Sequence, residues 1–408
     1  MTHWENRFAD RTQHMRRSTV REILKLTGQP DMISFAGGLP APELFPVERV
    51  QQATDTVLAE RGREALQYST TEGMPELRAF VAEWISGPNM RVNPNNILIL
   101  SGAQQAIDLL GRVLLNDGDP VLMENPTYVG TLSAWAGYGL KYHSVPTDHD
   151  GMLVEEILSQ LHHHPRLMYS IPNFQNPQGV TLSLERRKRL AQILVENNLT
   201  FIEDDPYGQI RYSGEHLPSM LQLEAAERGS LNADGNVIFC GTFSKVLTPG
   251  QRIGWVAAHE MVIDKLVQAK QGADLHTSTL GQFITYELVK DTAFFEAHVE
   301  MLRGVYRERR DLMLRLLDEH FPPEVSWTHP DGGLFLMVTL PAHLDATDLL
   351  KEAVQHKVAF VPCDGFYLDG TGQNTFRLNF SNARPEMITT GVERLGALIK
   401  QALVRQPT

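Results

Sequence analysis

The sequence predicts an α/β protein, a central sheet with helices on both faces, followed by a smaller α+β region. Three observations predict it. Short apolar runs recur between stretches of helical period, the pattern of strands buried on both faces. The stretch from Ile97 to Leu115 reads as strand, Gly-containing turn and helix. After about residue 285 the character shifts to a long charged helix and isolated strands. At about 150 residues per domain, 408 residues allow two or three domains.

Taken in chain order, residues 16–28, with Val20, Ile23, Leu24 and Leu26, form a short helix that stops near Gly28 and Pro30. Ser34 to Pro46 holds too many Gly and Pro residues for regular structure and reads as an ordered loop. Pro75 opens an amphipathic helix over 75–86, since the first turn tolerates proline. Ile97–Leu100 is a strand, Ser101-Gly102-Ala103 a turn, and Gln104–Leu115 a helix. Further strands are expected at Pro120–Met123, Arg166–Ser170, Thr200–Glu203, Val237–Cys240 and Gly254–Ala257, with a helix at Leu184–Glu196. The long helix covers Phe294–His320, with Arg303, Arg307, Arg309 and Arg310 expected on a solvated face. The strands Gly333–Leu340 and Thr375–Phe380 follow.

Composition narrows the function classes. Apolar residues make up 42% and charged residues 21%, an ordinary globular balance. Lys plus Arg is 37 against 49 Asp plus Glu, so the net charge is −12. That acidity, without a Lys/Arg block, disfavours nucleic acid as a partner. Cys240 and Cys363 cannot make a disulfide framework or a four-thiolate metal site, and a reducing, cytoplasmic compartment fits best. No signal-like apolar core of about seven residues opens the chain. No stretch approaches the roughly 18 apolar residues of a spanning helix, so no membrane is expected.

Several segments can carry chemistry. Gly241-Thr242-Phe243-Ser244-Lys245 follows the apolar run Val237–Cys240. A lysine at a strand exit can lose solvent in a cleft and become a Schiff-base nucleophile, although a lysine taken alone is more often a surface residue. Seven residues on, Arg252 could clamp a phosphate together with Thr242 and Ser244. Glu203-Asp204-Asp205-Pro206-Tyr207 brings carboxylates to a strand's C-terminal edge, where open α/β sheets bind ligands. Asp204 could hold a proton on a heteroaromatic nitrogen and Tyr207 donate to a ring oxygen; solvated turn acids or a magnesium site are the rivals. Asn176 precedes Pro177, which restricts it toward an extended conformation, against the bland reading of an Asn-Pro turn. Ser101-Gly102-Ala103-Gln104 exposes N–H groups at a helix N-terminus, a common anion site. Tyr128 could stack on a planar ring, yet buried tyrosines usually serve packing. Arg377 alternates with apolar neighbours and is costly there unless paired, and a substrate carboxylate matches its planar fork.

Together these segments resemble the fold-type I pyridoxal-phosphate aminotransferases, most of all the 2-aminoadipate and kynurenine aminotransferase II branch. The resemblance runs from about Ser18 to Leu398, through ISFAGGLPAPELFP, ALQYSTTEG, ENPTY, NFQNPQG, EDDPY, GTFSKVLTPGQRIGW, VQAKQGADLHT and TFRLNF. It implies a large domain with a mostly parallel seven-stranded sheet over residues 49–285 and a small α+β domain over 286–408. Residues 1–48 would associate with the small domain, with Gly28–Pro46 as a mobile cover that includes Gly38 as a substrate contact. Lys245 would form the Schiff base with pyridoxal 5′-phosphate and move the proton. Asp204 would pair with the ring nitrogen, Tyr207 and Asn176 with the ring oxygen, and Tyr128 would stack on the ring. Gly102, Ala103 and Gln104 would join Thr242, Ser244 and Arg252 around the phosphate. Tyr68 would reach the phosphate of the neighbouring subunit, making a homodimer with shared sites; by itself it reads as a packed tyrosine. Arg377 would clamp the α-carboxylate with help from Asn176. Arg21, by itself a surface helix residue, matches an arginine that engages a side-chain carboxylate.

The implied activity is ping-pong transamination from an L-amino acid (2-aminoadipate, branched-chain, aromatic or kynurenine) to 2-oxoglutarate. A β-lyase or decarboxylase on the same cofactor is the near alternative. A non-catalytic ligand-sensing domain like those fused to helix-turn-helix regulators is the distant one, and the short segment before Ser34 is not expected to hold such a DNA-binding domain. Three departures bear on substrate range: Cys363 stands where glycine is usual, NPQG replaces NPTG, and Pro206 precedes Tyr207. His162-His163-His164 is not read as a metal site, because adjacent histidines diverge and nothing completes the set. Asp148-His149-Asp150-Gly151 is too short for a calcium loop and reads as a turn.

Overall fold

The computed structural model describes residues 3–15, 22–23 and 31–405. Most of the helix expected over 16–28, and Arg21 with it, lies outside the described residues.

The central sheet comprises β2 (Ile97–Leu100), β3 (Pro120–Asn125), β4 (Lys141–Asp148), β5 (Gly151–Met152), β6 (Leu167–Ser170), β7 (Phe201–Asp204), β8 (Val237–Thr242) and β9 (Gly254–Ala257). Their order is β2-β9-β8-β7-β6-β3-β4-β5. The run β8-β7-β6-β3-β4 is parallel, while β9 is antiparallel to both β2 and β8. The expected seven-stranded sheet therefore has an eighth member, the two-residue edge strand β5. It exists because the chain reverses at Asp148–Gly151, where Gly151 takes φ +90° and β5 pairs back on β4. No apolar run marks β4 in the sequence, because its residues are mostly half-buried or exposed, as befits a strand near a sheet margin. Strands β2, β6, β7, β8 and β9 are buried throughout, which is why they read as unbroken apolar runs.

A four-stranded antiparallel sheet, β10-β11-β14-β13, lies further along the chain. It is built from β10 (Ser326–Trp327), β11 (Phe335–Thr339), β13 (Val361–Pro362) and β14 (Thr375–Asn379). Strand β1 (Ile33–Ser34) pairs in parallel with β12 (Val358–Ala359), tying the Gly/Pro-rich segment to this region. The tie continues past β1, since Phe35 N donates to Ala359 O and Asn379 N donates to Phe35 O, each at 2.8 Å.

The helix Thr292–His320 packs along Pro385–Val404. Its arginines are not all solvated as expected. Arg307 is exposed, but Arg309 and Arg310 are buried, at 6% and 8% exposure. Arg309 donates to Glu43 Oε1 at 2.6 Å and to the Ser381 carbonyl, and Arg310 donates to Pro330 O at 2.8 Å. Helical period alone does not show that the loops after Ser34 and β14 lie over this face. Among the described residues no helix is long and apolar enough to cross a membrane, and no group of His, Cys, Asp or Glu is placed to hold a metal ion.

Candidate active site

The C-terminal ends of the parallel strands converge on a cavity of about 550 Å³. Strand pleat decides which acid of Glu203-Asp204-Asp205 enters it. Glu203 turns away, and its oxygens accept from Met220 N at 2.9 Å and Leu221 N at 3.1 Å, at the start of helix Met220–Glu227. Asp205 accepts from Gly208 N at 2.8 Å and stabilises its own turn. Asp204 lines the cavity. The three acids therefore do not converge as a magnesium site would need.

Asp204 is 2% exposed, and burial pushes its carboxyl up to about 7 against the hydrogen bond from Tyr169. Tyr169 Oη donates to Asp204 Oδ2 at 2.6 Å. Among the described residues Asp204 Oδ1 meets no hydrogen-bond partner.

One end of the cavity is a cationic cup. Strand β8 runs into the single turn Phe243–Lys245, where Ser244 N donates to Thr242 Oγ1 at 3.2 Å. The two hydroxyls lie 2.9 Å apart. Arg252 takes a left-handed φ of 55° after the turn Pro249–Gln251 and donates through Nη2 to Ser101 O at 3.2 Å. Gly102 has φ +86°, and a Cβ there would lie 2.4 Å from Arg252 Nη2. Glycine at this position thus serves both the turn and the approach of the guanidinium. Helix Ala103–Leu114 begins immediately after, so its N-terminus, where Ala103 and Gln104 line the cavity, faces the same end. Gln104 Nε2 donates to Gly130 O at 2.9 Å, and Tyr128 Oη donates to Gln104 Oε1 at 3.4 Å.

Lys245 stands between this cup and a second cation. Its Nζ donates to Gly38 O at 2.8 Å. Desolvation, then the charges of Arg377 and Arg252, hold the ammonium down to about 8. Arg377, from β14, is 3% exposed and lies 4.1 Å over the Phe335 ring. It donates through Nη1 to Asn176 Oδ1 at 2.6 Å and through Nη2 to Ala36 O at 2.8 Å. The Asn176–Pro177 peptide is cis, a geometry not anticipated from sequence. Tyr207 is buried beside Asn176, and burial raises its phenol far above the usual value.

The cavity is lined by Gly38, Ala103, Gln104, Tyr128, Asn176, Asp204, Tyr207, Thr242, Ser244, Lys245, Arg252 and Arg377, all candidates from sequence. Gly102 lies behind the lining, against Arg252. Tyr68 is not brought in: it is 79% exposed and meets His276 edge-on at 5.8 Å. Three contributors are not candidates from sequence: Tyr169, Phe335 and the Ala36 carbonyl. Tyr169 lies in the run Leu167–Ser170, buried at every position, where the sequence does not separate it from packing, and the other two arise from long-range packing.

Comparison with known proteins decides the family. The family model described as aminotransferase class I and II matches residues 30–395. The chain belongs to the class I and II aminotransferases. This aminotransferase is 45% identical to a 2-aminoadipate transaminase of Thermus thermophilus over 98% of each chain. It is 41% identical to an aromatic-amino-acid aminotransferase of Thermococcus litoralis, over 98% of this chain and 95% of the other. A crystal structure of the α-aminoadipate aminotransferase of Thermus thermophilus, complexed with N-(5′-phosphopyridoxyl)-L-leucine, superposes with a TM-score of 0.91. That pair shares 43% identity over 98% of this chain and 99% of the other.

This aminotransferase is accordingly a pyridoxal-phosphate-dependent enzyme that transaminates amino acids. Its cavity fits the cofactor in kind. It offers a cationic, N–H-rich cup for a phosphate, an unpartnered carboxylate oxygen for a ring nitrogen, and a lysine of lowered pKa between them.

Proposed function

We propose that this aminotransferase moves the amino group of an L-amino acid to 2-oxoglutarate by a ping-pong exchange, with 2-aminoadipate, branched-chain and aromatic amino acids as donors. The observation that carries the reading is the setting of Lys245, whose ammonium is held near pKa 8 between Arg252 and Arg377 in one cavity. Those two arginines suit the two anions the exchange needs, a cofactor phosphate and a substrate α-carboxylate.

Pyridoxal phosphate, when bound, would supply an aldehyde carbon that trades its oxygen for the amino nitrogen and a ring that accepts electrons from Cα. Gly102, Ala103, Gln104, Thr242, Ser244 and Arg252 hold its phosphate. Asn176 and Tyr207 meet its ring oxygen, Tyr128 covers a ring face, and Asp204 Oδ1 keeps a proton on the ring nitrogen. Lys245 Nζ, neutral in part near physiological pH, takes the proton from the substrate Cα and returns it on the other side of the exchange. Arg377 and Asn176 orient the α-carboxylate, Gly38 borders the substrate, and Arg21 engages a side-chain carboxylate. Tyr68, exposed in the single chain, completes the site of a second copy in a homodimer. Residues 49–285 serve as the cofactor domain and 286–408 as the closing domain, with 1–48 associated with the latter and Gly28–Pro46 as the cover. The two buried, unpaired cysteines support a cytoplasmic setting.

The test mixes the holoenzyme with each donor and 2-oxoglutarate and follows glutamate and the donor's 2-oxo acid. Equimolar products and loss of turnover in Lys245→Ala are expected. Ammonia or carbon dioxide released without glutamate would refute transamination and point to elimination or decarboxylation. Substitution of Arg21 should lower turnover of 2-aminoadipate more than of leucine; an equal loss removes its role.

A further inference from the structure

We infer that Tyr169 is a positioning residue for Asp204, fixing one carboxylate oxygen so that the other is left to hold the proton on the ring nitrogen of bound pyridoxal phosphate. The inference rests on the role proposed above for Asp204.

The geometry follows from strand register. Tyr169 of β6 stands opposite Ile202 of β7, and Asp204 is two residues further along the same face. A diagonal neighbour of that kind is within reach of an aromatic side chain. The phenol covers the distance and donates to Asp204 Oδ2 at 2.6 Å, in the range of charge-assisted O–H···O⁻ bonds. Its partner oxygen Oδ1 has no hydrogen bond among the described residues, so the tyrosine divides the carboxylate into an occupied and a free side.

The ring of Tyr169 is itself held. It is fully buried and meets Trp135 edge-on, with ring centroids 5.9 Å apart and planes at 79°. Trp135 Nε1 donates to Ile107 O at 2.8 Å. The indole packs so close to Gly111 that a Cβ there would lie 2.6 Å from it. Ile107 and Gly111 belong to helix Ala103–Leu114, whose N-terminus opens on the cationic cup. One helix therefore sets both the cup and, through Trp135 and Tyr169, the orientation of Asp204.

The other ionisable groups that bear on Asp204 are Asp205 on its own strand, Glu124 on β3, Cys240 opposite it on β8, and Tyr207. Asp205 disfavours the negative charge on Asp204, and that charge in turn raises the pKa values of Glu124, Cys240 and Tyr207, whereas Tyr169 supports the carboxylate by donating a hydrogen bond.

The experiment reconstitutes wild type and Tyr169→Phe with pyridoxal phosphate labelled with ¹⁵N in the ring and follows the nitrogen shift against pH. The variant keeps the ring shape, and thermal melting checks that it folds. Its ring nitrogen should lose the proton about one pH unit or more below wild type, with cofactor binding about tenfold weaker or worse. In an Asp204→Asn background the same substitution should change neither quantity further. Tyr169→Phe matching wild type in both, or adding its full effect to Asp204→Asn, overturns the role of the tyrosine. A wild-type ring nitrogen without its proton across the range overturns the Asp204 assignment instead. A measurement on the unaltered core stands beside these: a downfield Tyr169 hydroxyl proton in the holoenzyme, lost in Asp204→Ala. Its absence from the wild type also overturns the inference.

Discussion

Replacing Lys245 with methionine should stabilise the apoprotein near neutral pH. The lysine's ordinary value is 10.5, and desolvation with the Arg377 and Arg252 charges brings it to about 8 in the folded chain. At about 1.4 kcal/mol per pKa unit, keeping this ammonium charged in the fold costs about 3 kcal/mol. Methionine also forgoes the hydrogen bond to Gly38 O, which returns about 1 kcal/mol to the unfolded state. The net gain is about 2 kcal/mol. Its pH dependence has a definite sign. Between pH 8 and 10.5 the unfolded chain binds the lysine proton and the folded chain does not, so wild-type stability rises with pH across that window. Below it the penalty is fully present; above it the penalty is gone.

The advantage of Lys245→Met should therefore be largest at pH 7 and shrink through pH 8 to 10.5. Urea midpoints of the two apoproteins, measured at pH 7 and pH 10, give the comparison, because contributions from other titrating groups cancel between variant and parent. Equal midpoints at pH 7 would refute the electrostatic account of this lysine. So would an advantage of the same size at pH 10, which would trace the effect to packing.

Three other expectations follow from single contacts. Gly102→Ala forces a Cβ to within 2.4 Å of Arg252 Nη2 at φ +86°, costing about 1–2 kcal/mol of stability. It should weaken pyridoxal phosphate binding about tenfold more than binding of phosphate-free pyridoxal; an equal loss for both places the defect outside the cup. Arg377→Lys breaks the fork that spans Asn176 and Ala36, so kcat/KM should fall about tenfold to a hundredfold for every donor. A loss confined to dicarboxylate donors contradicts the α-carboxylate role. Tyr68→Phe, at a side chain 79% exposed, should leave thermal stability within about 0.5 kcal/mol yet weaken cofactor binding. Unchanged binding would remove the shared-site proposal.

What the sequence disclosed and what it concealed divide along one physical line. The strands from β6 to β9 were legible because burial on both faces forces apolar residues at every position, and β9 falls at Gly254–Ala257 as expected. Strand β4 was not, because a strand that is only partly covered need not be apolar. Lys245 and Asp204 were legible because each sits at or just after a strand end, and Arg252 because it follows a Pro-Gly turn two residues before β9, places where chemistry and turn residues cluster. Tyr169 was not, although it makes the hydrogen bond that orients Asp204. A tyrosine in the middle of an apolar strand looks like packing until the register of the neighbouring strand is known. Arg309 misled in the opposite sense: its helical position suggested solvent, and only the folding-back of Glu43 and Ser381 supplies the partners that let it be buried.

The charge total bears only on extended polyanions, and a net charge of −12 coexists with Lys245, Arg252 and Arg377 lining one cavity. Two arginines beside a lysine are unfavourable in themselves, and their repulsion helps to hold the ammonium down to about 8. The arrangement becomes favourable when anions take the arginines. A phosphate at Arg252 or a carboxylate at Arg377 cancels part of the field that Lys245 feels, so filling either position raises the lysine's affinity for a proton. The basicity of the group that must accept the Cα proton is thereby tied to occupancy of the two ends of the cavity. In these terms the cationic cluster does more than bind: by linkage, the same arginines that hold the anions set when the lysine is a base.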